Sequence, residues 1–176
     1  MSALIALLKS VNTAIGHLVT ILSSLIIAIM VAALTGSAVT RYFSGTGYDW
    51  LIELPPALVP WLVFPLLGPL FRAGEHVSVD LLPTFLSGRA LIGLRAFGAL
   101  VTLIGAIIFL LAGVEATGMF RMLGQIMELE IEIPIWWMYL AFPTGFAILA
   151  SFALEALLIA VQDLFRHSPQ TEGQEA

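Results

Sequence analysis

The 176-residue chain has no cysteine, which excludes a disulfide framework, thiolate metal ligation and thiol catalysis. Charge is almost as scarce. Only 11% of the residues are charged against 60% hydrophobic, and the mean hydropathy is +1.02. A soluble domain of this length exposes too much surface to hide so large an apolar fraction, whereas a bilayer removes the problem. Seven Lys and Arg stand against twelve Asp and Glu, a net charge of −5. No basic patch can displace counterions from phosphates, so nucleic acid is excluded as a partner. The chain also lacks a Ser/His/Asp constellation, a phosphate-cradling glycine loop and an H-E-x-x-H motif. A bundle-embedded haem commonly asks for two axial ligands. Only His17 falls within an apolar span, where a helix-end position near the interface suits it, while His76 and His167 lie outside. No cofactor or metal is therefore expected, and the chain does not read as an enzyme.

What is present is four long apolar runs. They predict an all-α integral membrane protein with spans at about 12–39, 50–71, 90–115 and 134–161, forming one domain over residues 1–166. The first run carries no formal charge from Ser10 to Thr40. It is far longer than the roughly 7–15 residues of a signal-peptide core, so it is expected to stay as an anchor. The polar tail, residues 167–176, has almost nothing to bury and reads as a disordered cytoplasmic segment.

Basic residues give the expected orientation. Lys9, Arg72, Arg89, Arg95 and Arg166 fall on one side of the four-span scheme, and only Arg41 and Arg121 on the other. The positive-inside rule then places both termini in the cytoplasm. Tyr42, Tyr48, Trp50, Trp136, Trp137 and Tyr139 gather at the opposite interface, as amphipathic rings do, with Trp61 alone in mid-span.

Two spans carry further signals. In the first, Gly16, Thr20, Ser24, Ala28, Ala32 and Gly36 recur every fourth residue, a helix-packing stripe of small side chains whose partner stays open between this chain and another. In the second stand Pro55, Pro56, Pro60, Pro65 and Pro69. Each removes a backbone donor, which predicts a kinked helix buried against protein. A broken helix lining a substrate path is the sharper alternative. Against it, no Asp, Glu, Lys or Arg lies near the middle of any span.

A dense polar cluster follows the second span: Arg72, Gly74, Glu75, His76 and Asp80. His76 and Asp80 share a helix face, but two or three ligands without a matching set elsewhere make a weak metal site. A structural role fits better. Asp80 can cap a short helix with Pro83 in its first turn, giving an amphipathic interfacial segment after helix 2.

These residues carry a resemblance. Arg41-Tyr42-Phe43, Trp50-x-x-Glu53-Leu54 and Arg72-x-Gly74-Glu75-His76-Val77-x-Val79-Asp80-x-Leu82 are similar to the small membrane (DctQ-type) subunit of TRAP transporters, the tripartite ATP-independent periplasmic systems of bacteria and archaea. So is Ile133-Pro134-Ile135-Trp136-Trp137-Met138-Tyr139-Leu140, with Pro143 and Gly145. The resemblance covers about Arg41 to Leu158. Two features depart from it: Ile52 stands where the family often has a second acid beside Glu53, and the second span is unusually rich in proline. It implies a small permease subunit of a sodium-driven importer of organic anions in the inner membrane. That subunit would brace a large elevator-type membrane subunit on a separate chain, served by a periplasmic substrate-binding protein. It would bind no substrate itself. An autonomous carrier or channel and a membrane enzyme subunit are the competing classes.

Before the last span, Glu128, Glu130 and Glu132 alternate with Leu129, Ile131 and Ile133, an extended two-faced pattern. A solvated loop explains it as simply as a function does. As a functional feature, this acidic rim suits docking of a basic patch on the binding protein.

Overall fold

The computed structural model describes residues 2–74, 89–127 and 132–166. Helix α1 spans Ser2–Ser44, α2 Asp49–Ala73, α3 Arg89–Leu123, the short α4 Ile135–Tyr139 and α5 Ala141–Arg166. Four segments are long and apolar enough to cross a membrane. The helices alternate in direction. The start of α2 meets the end of α1 where Leu51 lies against Gly36, and the end of α3 meets α4 where Phe120 stacks on Tyr139.

The arrangement is an open one around α5. That helix packs against α3, α2 and, less extensively, α1; α2 also packs on α1, while α3 has no comparable contact with α1 or α2 among the described residues. The outer faces of α1 and α3 are consequently covered with exposed Leu, Ile, Val and Phe. In water such faces would drive aggregation, but against lipid tails they cost nothing.

Small residues let the central helices approach. A Cβ at Gly145 would overlap the carbonyl carbon and oxygen of Phe64, so α5 there touches the backbone of α2 itself. Gly68 and Gly113 do the same against the side chains of Phe152 and Phe142. Between these points Phe64, Phe109, Phe142 and Phe146 interlock across α2, α3 and α5, with ring centroids 4.6–6.3 Å apart. Edge-to-face and offset rings gain beyond area burial, which matters where lipid is as apolar as the core.

The seam of α1 differs from its small-residue stripe. Its buried residues are Asn12, Val19, Ser23, Ala33 and Ser37. These follow the three-and-four spacing that keeps one side of a helix facing its neighbours. A strict fourth-residue repeat drifts off that side, so Thr20, Ser24, Ala28 and Ala32 are exposed, while Gly16 faces Phe152 of α5 and Gly36 faces Leu51 of α2.

Several boundaries also differ from the sequence expectation. Helix α2 runs unbroken through all five prolines, two of which are buried, so it is not a broken helix. It closes at Gly74, whose φ of 70° lets its N–H turn back to the Phe71 carbonyl. Helix α3 continues past Glu115 to Leu123 because Thr117 and Phe120 still find partners; Thr117 is buried and donates to the Gly113 carbonyl. His17 stands well inside α1, exposed, with Nδ1 2.9 Å from the Thr13 carbonyl, rather than at a helix end. The last span is interrupted at Leu140, since Pro143 has no N–H to offer the Tyr139 carbonyl. Two-residue strands β1 (Ile126–Met127) and β2 (Ile133–Pro134) pair antiparallel at the foot of the loop between α3 and α4.

Gly145→Ala should force α5 away from α2 and lower the thermal unfolding midpoint in detergent, at a cost of about 1–3 kcal/mol. Gly118→Ala, with nothing within 4 Å of the added carbon, should not. Equal midpoints for the two variants would refute the close approach.

Candidate functional site

One polar cluster is built into the apolar body. Glu155 of α5 is only 5% exposed, and Asn12 of α1 is fully buried. Sixteen residues separate Tyr139 from Glu155, about 24 Å along a helix, which puts the carboxylate near the far edge of a hydrocarbon core about 30 Å thick. A charge at that depth persists only with partners.

It has them from two other helices. Arg72, in the last turn of α2, donates to Glu155 Oε1 at 3.1 Å and to the Thr13 hydroxyl of α1 at 3.0 Å. Asn12 Nδ2 donates to Glu155 Oε2 at 2.7 Å and to the Ser151 carbonyl at 3.2 Å, while the Ser151 hydroxyl donates to Asn12 Oδ1 at 2.7 Å. Only this amide orientation works, because the reverse would set Oδ1 against two acceptors. The guanidinium also lies 5.8 Å from the centre of the Phe152 ring. Every buried side-chain N or O among the described residues has a partner. The cluster therefore clamps α1, α2 and α5 at one end, and it holds no free nucleophile, acid or base for chemistry.

An aromatic collar does the corresponding work at the other end. Trp61 Nε1 donates to the Trp137 carbonyl at 3.2 Å, and the two rings sit 5.3 Å apart. Trp61 is thus tied to the belt rather than alone in mid-span. Arg121 lies 5.7 Å from the Trp136 ring. Pro134 ends β2 and caps α4 with extended backbone.

Of the other sequence-nominated residues, Trp50 and Glu53 lie in the first turns of α2, Trp50 exposed and Glu53 half-buried. Arg72 and Gly74 belong to the end of α2, one as clamp and one as cap. Glu75, His76 and Asp80, the amphipathic segment after helix 2, the tail at 167–176, and Glu128 and Glu130 lie outside the described residues. Glu132 is exposed. The structure joins Arg72 to a cluster of four residues that the sequence reading did not nominate: Asn12, Thr13, Ser151 and Glu155. Two signals were there. Glu155 is the sole acid in the span 134–161, and Asn12 the sole amide in the first span. Ionisable groups at membrane depth mark partners by default.

A family description decides the identity. The model of the DctQ family, described as Tripartite ATP-independent periplasmic transporters, DctQ component, matches residues 30–163. The chain belongs to the DctQ family. It is a small membrane subunit of a TRAP transporter, a transport component and not an enzyme. No curated protein and no solved structure matched it. The matched range takes in Arg72, Ser151 and Glu155 of the clamp but leaves Asn12 and Thr13 outside. The α1 half of this DctQ component's clamp thus lies beyond the family match.

Removing Arg72 alone leaves a buried carboxylate half-paired, whereas removing both charges leaves none. Arg72→Ala should therefore lower the unfolding midpoint in micelles more than Arg72→Ala with Glu155→Leu, with a coupling of about 0.5–3 kcal/mol in the double-mutant cycle. Strict additivity of the two changes would dissolve the clamp.

Proposed function

We propose that this DctQ component is the static small permease subunit of a sodium-driven, binding-protein-dependent importer of organic anions. It braces a large elevator-type membrane subunit on a separate chain. The observation that carries the reading is the saturated clamp. Glu155 is the one buried acid among the described residues, and its oxygens are taken by Arg72 and Asn12. An ion or substrate path through the spans needs a group that exchanges partners, and this one is fully engaged. The unpaired apolar faces of α1 and α3 suit contact with lipid or a larger helical subunit.

The chain lies in a bacterial or archaeal inner membrane with both termini cytoplasmic, so the clamp faces inward and the Trp61–Trp137 collar outward. The Glu128, Glu130 and Glu132 loop then meets the periplasm and receives a basic patch of the substrate-binding protein.

Reconstituted alone in liposomes, the chain should pass no organic anion; flux should need the large subunit, the binding protein and an inward sodium gradient together. Flux from this chain alone would identify an autonomous carrier instead. In the complete system, Glu128→Gln, Glu130→Gln and Glu132→Gln together should raise the binding-protein concentration for half-maximal uptake, and an unchanged titration would remove the docking role. Because native cysteine is absent, orientation has a simple check. A membrane-impermeant maleimide applied outside intact cells should label Ser44→Cys and spare Ala73→Cys; the opposite pattern reverses the topology.

A further inference from the structure

Beside the clamp lies a cavity of about 690 Å³, within the roughly 300–1,000 Å³ of small-molecule sites. All four long helices contribute to its rim: Lys9 from α1, Arg72 from α2, Arg95 from α3, and Glu155 and Asp163 from α5. Between these charged groups the wall carries Ile92, Ile159 and Ala160, and deeper in the bundle Ala99 and Phe152. Polar rim over apolar wall is the profile of a lipid lying along a helix bundle, not of a water-filled anion site.

The charges narrow the occupant. Arg72 and Glu155 neutralise one another. Among the described lining residues that leaves Lys9 and Arg95 against Asp163, a residual charge of +1. Neither cation's side chain has a hydrogen-bond or ion-pair partner among the described residues. A single negative phosphodiester between two cations, with a group beside it able to donate to the Asp163 carboxylate, completes the set. A glycerol headgroup has such hydroxyls. Among the described residues the weak contact between α1 and α3 leaves the side between them open, so a lipid can enter from the bilayer plane.

We propose that this cavity is a binding site for an anionic glycerophospholipid of the phosphatidylglycerol type. Lys9 and Arg95 hold its phosphate, Asp163 accepts from its glycerol hydroxyls, and an acyl chain runs inward over Gly98, Ala99 and Phe152. The site is distinct from the clamp yet shares its Arg72–Glu155 wall, so an occupant buttresses the ion pair from outside. In the orientation given above, the lipid belongs to the cytoplasmic leaflet, where basic pockets between membrane helices recognise anionic headgroups. The inference does not depend on transport activity.

Native mass spectrometry of the chain in mixed micelles tests it, with phosphatidylglycerol, phosphatidylethanolamine and phosphatidylcholine supplied at equal concentration. Phosphatidylglycerol should be retained preferentially. Lys9→Gln and Arg95→Gln should each weaken retention about fivefold, and Arg41→Gln at the opposite end should not. Asp163→Asn, which raises the residual charge to +2 and removes a carboxylate that an ammonium could pair with, should widen the preference over phosphatidylethanolamine. Equal retention of the three lipids overturns the proposal. So does displacement of phosphatidylglycerol by millimolar glycerol 3-phosphate, which makes the ligand a soluble anion. Wild-type retention by the Lys9→Gln/Arg95→Gln double variant overturns it too, because something other than this cavity then holds the lipid.

Discussion

Keeping one carboxylate charged below the apolar boundary is the constraint on which the rest of the chain depends. Glu155 sits on the helix that all the others touch, and it is satisfied only when α1 brings Asn12 and α2 brings Arg72. Three helices are thereby fixed in rotation and in height relative to one another. Apolar packing alone does not achieve this, since a Leu face slides against lipid or against another Leu face with little difference in free energy. The polar clamp specifies, and the glycine contacts and phenylalanine cluster then fill the geometry it selects. Buried ionic groups serve stability poorly but fix register well.

The same logic explains the division of labour along α2. Its five prolines deprive five carbonyls of their helical donors, which weakens the helix as an isolated span. It is nonetheless held from outside. Trp61, at its midpoint, is tied to the Trp137 backbone, and Arg72, in its last turn, to Glu155. Between them Gly145 brings α5 against the backbone at Phe64. A helix held at its middle and its last turn tolerates prolines that a lipid-facing helix would not.

Much of this was legible in the chain itself. The four spans follow from hydropathy and length, and the membership follows from the motifs around Trp50, Arg72 and Trp136. Gly74 could be understood as a helix stop, since only a left-handed residue closes α2 there. The clamp was not found because its members are far apart in the chain: Asn12 and Glu155 are 143 residues from one another. Periodicity reports on faces of one helix and is silent about which faces meet. Hence periodicity marked the small residues from Thr20 to Ala32, while the seam within this chain runs through Val19, Ser23 and Ala33. Arg72 stood out as one letter of a cluster, but its partner lay in a helix yet to come.

That last point bears on how the protein is made. Helices α1 and α2 can associate as soon as both have left the ribosome, whereas α3 meets little of either and must wait beside them in the bilayer. Until α5 is inserted, Arg72 and Asn12 have no carboxylate to hold, and α3 has no groove to enter. The helix that completes assembly follows the other three long helices in the chain, so a nascent chain arrested before Ser151 leaves three spans in the membrane without a common core.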